Sequence, residues 1–472
     1  MMPPHSDSSS SSWGRVSSRS GAPVPGGVSV PALWAAARVV ELTGGRICDP
    51  GGVLDGRSGL TLVEGRVAEA AADPDLTIDL GGRLLLPGLA DMHVHLREPG
   101  FEEAETVATG LAAAARGGFT RVACMPNTMP PCDQRAVVDM ILARAREACG
   151  VLLHPVGGLT RGLTGDELTE MAELRAAGVL AVSNDGYPVE SSLTMRRAME
   201  YAKSFDLLVI THAEDRRLRG DGVMNEGYWS TVLGLRGIPA AAEEIAVARD
   251  IALARLTGCR LHIAHVSTAR SVELVRRAKQ EGLPVTAETA PHYFTLTDAA
   301  LQSYDANFKM NPPLRTNRDV EAILQALSDG TVDVIATDHA PHTPESKEVE
   351  LDAAPFGIVG LETSLALAVT HLLRPGRLGA EDLVRLMSRR PAEIMGWPGG
   401  RLQPGRRAEL TVLDPQAAWT VEPQQFASRS RNTPFDGWEL QGRAPAVAVG
   451  RRLVAWEGLP AQATPELLAQ AQ

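Results

Sequence analysis

The chain has 472 residues, 44% of them hydrophobic, with 45 glycines and 32 prolines, which is enough for one large globular domain and a smaller one. A formal net charge of −11 without a basic cluster speaks against a nucleic-acid partner, and no apolar run reaches the roughly 18 residues that a membrane helix needs. The five cysteines, Cys48, Cys124, Cys132, Cys149 and Cys259, are odd in number and scattered, which predicts neither a disulfide framework nor a thiolate zinc site and fits a reducing cytoplasm.

Residues 1–36 are rich in Ser, Gly and Pro, and Ser8 to Ser12 is uninterrupted serine. This stretch lacks the apolar core of a signal peptide and predicts a disordered tail. Residues 461–472 read as a second tail. From Arg38 to Leu80, short alternating runs punctuated by turns predict small antiparallel strands, among them Thr61 to Val67. The same texture returns in Ala408 to Asp414 and in Pro445 to Val454, where apolar runs flank Gly450 as in a hairpin. The expectation is a small β-sandwich domain formed by both chain ends, over residues 37–83 and 404–460.

Between them, over residues 84–403, strand-like and helix-like segments alternate. Strands are expected at 84–90, 120–126, 151–157, 178–184, 207–212, 260–266, 284–289 and 332–338, and amphipathic helices at 133–148, 239–256 and 268–280. Eight βα repeats predict an α/β fold of the (β/α)8 TIM-barrel type. The alternative, an open doubly wound sheet, lacks a glycine-rich phosphate loop after its first strand.

The first of these strands runs into Asp91-Met92-His93-Val94-His95-Leu96-Arg97-Glu98-Pro99. In a strand, His93 and His95 share a face, about 7 Å apart along the chain, and can converge on one ion. Taken alone, the pair is equally a strand carrying two polar residues. Company comes from other strand ends: Asn127 after the second, Asn184-Asp185-Gly186 after the fourth, His212 after the fifth, His265 after the sixth, and Asp338-His339 after the eighth. In a barrel these ends form one rim, where active sites sit.

The candidate metal ligands are His93, His95, Asp185, His212, His265 and Asp338. Imidazole and carboxylate without thiolate suit zinc. His262 and His265 cannot both face the rim, so the later one is taken as ligand and His262 as structural. His154 and His371 read as packing or surface residues, and His292 as a rim residue without a role. Asp185-Gly186 alone would equally be a simple turn. In many metallohydrolase barrels a carboxylated lysine bridges two ions. The lysines here are Lys203, Lys279, Lys309 and Lys347, so none is available at the fourth strand, and Asp185 is the carboxylate at that position.

The signature at 91–99, Ala336-Thr337-Asp338-His339-Ala340-Pro341-His342-Thr343-Pro344-Glu345-Ser346-Lys347, Asn311-Pro312-Pro313-Leu314-Arg315 and Asp185-Gly186 together resemble the class I bacterial dihydroorotases of the amidohydrolase superfamily. The similarity covers roughly residues 40–458. It implies reversible cyclisation of N-carbamoyl-L-aspartate to dihydroorotate in de novo pyrimidine biosynthesis, with one or two zinc ions per subunit. It also implies a substrate carboxylate held by Arg97, Asn127 and His342, Asn311 near the ring, backbone contacts from Phe356 and Gly357, and Asp338 as the catalytic acid/base. Two rival readings are a hydantoinase or allantoinase, and a non-catalytic scaffold for aspartate carbamoyltransferase. The first generally uses the lysine missing here, and the second has lost ligands that are all present. The resemblance further implies a small-molecule substrate, a homo-oligomer, and aspartate carbamoyltransferase as the partner to consider. One departure is visible: the family usually has aspartate where this chain has Asn184.

Overall fold

The computed structural model describes residues 15–18, 29–69 and 73–460. The chain opens with seven strands: β1 (Val16–Ser18), β2 (Val39–Thr43), β3 (Arg46–Ile47), β4 (Leu60–Val63), β5 (Arg66–Ala68), β6 (Leu76–Asp79) and β7 (Leu84–Pro87). Burial alternates in β2, β4 and β6, so one face of each is apolar and needs a cover. Five of them form one sheet in the order β1-β6-β2-β4-β5.

Eleven strands follow: β8 (Leu89–Val94), β9 (Phe119–Cys124), β10 (Leu152–Pro155), β11 (Gly157–Gly158), β12 (Ala181–Ser183), β13 (Leu208–Thr211), the short pair β14 (Met224–Asn225) and β15 (Gly237–Ile238), then β16 (Leu261–Ile263), β17 (Val285–Thr289) and β18 (Val334–Ile335). Parallel pairing runs β8-β9-β10, then β11-β12-β13-β16-β17-β18, and the Val156 amide, between the two runs, bonds back to Cys124. The ends of the ring meet again. Val94 forms a parallel bridge with His339, and the Thr337 amide donates to Asp91 at 3.2 Å. Burial pushes the Asp91 carboxyl up to about 7.

Helices cover the ring because their apolar residues fall on one face. In the helix Ala269–Gln280 the buried positions are Ser271, Val272, Val275 and Ala278, and the Thr268 hydroxyl caps its start by accepting from the Ser271 amide. The helix Ala241–Thr257 ends at Gly258 in the left-handed conformation. Inside the ring, Ala90, Met92, Ala123, Ile210, Ala264 and Val334 meet Ile394, Met395 and Trp397.

The chain then returns to the first domain with β19 (Glu409–Thr420), β20 (Glu439–Val449), β21 (Arg452–Trp456) and β22 (Leu459–Pro460). These join β7 and β3 in a second sheet, β22-β21-β20-β19-β7-β3. The core between the sheets includes Trp34, Leu42, Leu62, Ile78, Leu85, Val412 and Leu453.

Three expectations need correction. The run expected as one barrel strand at 84–90 is two: β7 pairs with β19 in the sandwich, and β8 begins the barrel after Gly88. A Cβ at Gly88 would lie 2.2 Å from Thr120 Oγ1, so only glycine lets the ribbon pass between the two sheets. The expected tail at 1–36 contains β1 and a helix, Val30–Ala36, whose Trp34 is buried in the sandwich core; residues 1–14 and 19–28 lie outside those described, as do 461–472. Finally, residues 421–438, between β19 and β20, leave the sandwich for the barrel rim: Val421, Phe426 and Phe435 bury against Met310, Leu314 and Ile358.

Candidate active site

β8 carries His93 at its end, and His95 follows one residue past it. Each ring is oriented through its Nδ1. His93 Nδ1 donates to Glu288 Oε1 at 2.6 Å, and His95 Nδ1 donates to Asn127 Oδ1 at 2.8 Å. Fixing Nδ1–H in this way leaves both Nε2 atoms as acceptors, the arrangement by which a supporting group sets a metal-binding histidine.

Both Nε2 atoms converge on two carboxylates. Asp185 lies 3.4 Å from His93 and 3.5 Å from His95, and Asp338 Oδ1 lies 3.5 and 3.3 Å from them. On the other side, Asp185 Oδ1 is 3.7 Å from His212 Nδ1 and 3.6 Å from His265 Nε2. Two triads, His93/His95/Asp185 and Asp185/His212/His265, therefore share one carboxylate, and each holds its donor atoms within 4.8 Å of one another.

The electrostatics follow from this packing. Burial would push Asp185 and Asp338 up, but the surrounding imidazoles outweigh it and hold both carboxyls well below the usual range. Burial lowers His212, but Asp185 and Glu214 outweigh that and raise it to about 10. Among the described residues, buried His93 Nε2 and Asp185 Oδ1 find no hydrogen-bond partner. Buried polar atoms are normally paired, so orphans among imidazoles and carboxylates fit a divalent cation.

Three positions here take positive φ without being glycine: Arg97 (62°), His265 (34°) and Asp338 (49°). Such strain gathers at functional sites because it aims side chains that relaxed backbone would not. At Arg97 the turn brings the guanidinium against the eighth-strand loop, where Nε donates to the Pro341 carbonyl at 3.1 Å and Nη2 lies 3.5 Å from His342 Nε2. His342 Nε2 in turn faces the Phe356 carbonyl at 2.8 Å. Burial, then Arg97, pushes His342 down to about 3, so its ring is neutral and Nε2–H donates to Phe356. Asn311 Nδ2 lies 3.3 Å from His212 Nε2, and Asn311 Oδ1 is buried without a hydrogen-bond partner among the described residues.

The structure thus brings all six candidate ligands into one cluster and arranges Arg97, His342, Phe356 and Gly357 beside it. Asn127 is partly spoken for, since its oxygen supports His95. Asn184 turns away: its Oδ1 accepts from the Leu159 and Thr160 amides at 3.1 Å each, so its identity bears on the third-strand loop rather than on the cluster. His262 is structural, bonded to Thr286 and Glu288. His154 packs on Trp397 beside Arg121, and His371 near Trp438. Glu288 was not singled out from sequence. It joins His93 to His262, and although burial pushes it up, those two imidazoles hold it at about 2. Its signal was a carboxylate near the end of an otherwise apolar strand.

A barrel that presents two histidine–aspartate triads at its carboxyl rim defines a hydrolase of the amidohydrolase superfamily. A family model described as dihydro-orotase-like matches residues 82–271. The dihydroorotase of Syntrophotalea carbinolica is 50% identical over 418 residues, covering 88% of this chain and 98% of its own length. That of Pelotomaculum thermopropionicum is 52% identical over 421 residues, covering 88% of this chain and 97% of its own. Among solved structures, the L-hydantoinase (dihydropyrimidinase) of Arthrobacter aurescens superposes with a TM-score of 0.80 at 26% identity, over 89% of this chain and 97% of that one. The chain belongs to the dihydroorotase family.

Proposed function

We propose that this protein catalyses the reversible cyclisation of N-carbamoyl-L-aspartate to dihydroorotate, a step of de novo pyrimidine synthesis, with zinc as the metal. The observation that carries the reading is the placement of the Arg97–His342 pair beside a centre of four histidines and two aspartates without thiolate. His93, His95, Asp185, His212, His265 and Asp338 would hold one or two zinc ions. Bound zinc would supply a water acidified towards about pH 7 and polarise the ring carbonyl.

The chain's own residues do the rest. Arg97 grips the substrate carboxylate with its planar fork, which a lysine could not copy. Asn127 and neutral His342 join it at the carboxylate, the Phe356–Gly357 backbone lines the same pocket, and Asn311 reaches the ring side. Asp338 is ionised, so in ring opening it takes a proton from the attacking water and hands it to the leaving ring nitrogen. Ring closure reverses these steps. Acid/base help of this kind is typically worth about 10²–10⁴-fold. A homo-oligomer, and docking of aspartate carbamoyltransferase, belong to the same reading and rest on the family resemblance.

The test is turnover with dihydroorotate and with hydantoin, in wild type and in Arg97→Lys. The wild type should prefer dihydroorotate. Arg97→Lys should raise its Michaelis constant about tenfold, the cost of one lost charge-assisted bond of about 1.5 kcal/mol, and leave metal content unchanged. Preference for hydantoin would favour the related cyclic-amide hydrolases, and an unchanged Michaelis constant would take the carboxylate away from Arg97.

A further inference from the structure

The connection between β19 and β20 crosses the barrel rim, and two carboxylates fasten its middle. Glu362 accepts from the Ala427 and Ser428 amides at 3.0 and 3.1 Å, and Glu105 accepts from the Arg429 amide at 3.0 Å and from the Ser428 hydroxyl. Ser430 donates to the Ala104 carbonyl at 2.7 Å. Asn432 comes next, 5% exposed, and its polar groups reach two rim loops. Its Oδ1 accepts from the His342 amide at 3.1 Å, and its Nδ2 donates to the carbonyls of Ala340 at 3.0 Å and Gly357 at 3.1 Å. Its own carbonyl accepts from the Val359 amide at 2.9 Å.

We propose that Asn432 is a positioning residue for the substrate carboxylate pocket, setting the spacing between the His342 loop and the Phe356–Gly357 loop. The proposal rests on the reading that these loops meet the substrate. The loops have no slack. Gly357 has φ 122°, and a Cβ there would lie 2.6 Å from Ala340 Cβ and 3.3 Å from His342 Nε2. On the far side, Lys347 Nζ donates to the carbonyls of Pro355 and Gly357 at 3.0 Å each, so the Gly357 carbonyl is held from two directions. The His342 ring takes its orientation from the Phe356 carbonyl, one residue away from that clamp. Removing the Asn432 amide strands the His342 N–H and the Ala340 carbonyl in the interior and leaves the Gly357 carbonyl to Lys347 alone, and an unmade buried bond costs more than a made one gains. The loops recover those partners only by moving, and a movement of either one displaces the groups set for the carboxylate.

The test is steady-state kinetics with dihydroorotate in Asn432→Ala and Asn432→Asp, alongside metal content and melting temperature. Asp keeps the size and the acceptor but turns an oxygen towards two carbonyls. Both variants should raise the Michaelis constant about tenfold, with kcat within about threefold of wild type and metal content unchanged. A role limited to holding the fold together would lower the melting temperature and leave the Michaelis constant alone, and that result overturns the proposal. Should either variant fail to fold, Asn432→Ser is read in its place, and failure of all three assigns Asn432 to folding and likewise overturns it. Wild-type protein inert on dihydroorotate would overturn the dihydroorotase reading instead, so the two failures are distinct.

Discussion

Asp185 and Asp338 are both buried carboxylates among histidines, yet their contacts differ. Asp185 Oδ1 lies within 3.7 Å of His93, His212 and His265, which spans both triads. Asp338 Oδ1 meets only the first pair, His95 at 3.3 Å and His93 at 3.5 Å. Asp185→Ala should therefore lower metal content, because it removes the carboxylate common to the two triads. Asp338→Asn keeps the size and one oxygen but cannot accept a proton at neutral pH, so it should keep at least part of its metal and lose about 10²–10⁴-fold in turnover. Metal analysis and turnover on the same samples check both. Wild-type metal in Asp185→Ala, or near-normal turnover in Asp338→Asn, would contradict these roles. The side chains of this cluster were legible because each stands at a strand end in a short polar motif. Glu288 and Asn432 were not: the first is a single charge within a buried strand, and the second is placed by tertiary contacts of its side chain with partners 75 to 92 residues away in sequence.

At the scale of elements, period-two and helical patterns located the barrel strands and helices to within a few residues, as with Ala269–Gln280 against an expected 268–280. Pattern could not divide Leu84 to Ala90, since an apolar strand buried in a sandwich looks the same as one buried in a barrel. Composition likewise hid the helix Val30–Ala36 beneath a serine- and glycine-rich neighbourhood. That helix is anchored by Trp34, 3% exposed, whose indole Nε1 donates to the Gly450 carbonyl at 3.4 Å. Trp34→Ala should lower unfolding stability by about 3–5 kcal/mol, the usual cost of deleting a buried tryptophan. Denaturant titration measures it, and an unchanged midpoint would mean that the helix contributes nothing to the sandwich.

For the whole molecule, the six candidate ligands come from positions around the ring: the end of β8 and the loops after β12, β13, β16 and β18. An ion held by them ties together strands that adjoin at opposite ends of the sequence, since Val94 and His339 form the bridge where the ring meets itself. The unfolded chain has no such site, so metal binding should add directly to folding stability. At a free metal concentration about 1,000 times the dissociation constant this amounts to about 4 kcal/mol. Chelation should therefore lower the melting temperature, and adding zinc back should restore it. Asp185→Ala should melt near the chelated wild type and respond little to either treatment, because its site is already broken. The comparison also separates a rim site from metal bound elsewhere, which would stabilise the variant as much as the wild type. Identical melting of wild type with and without chelator, at verified loss of metal, would mean that the triads fold without help from the ion.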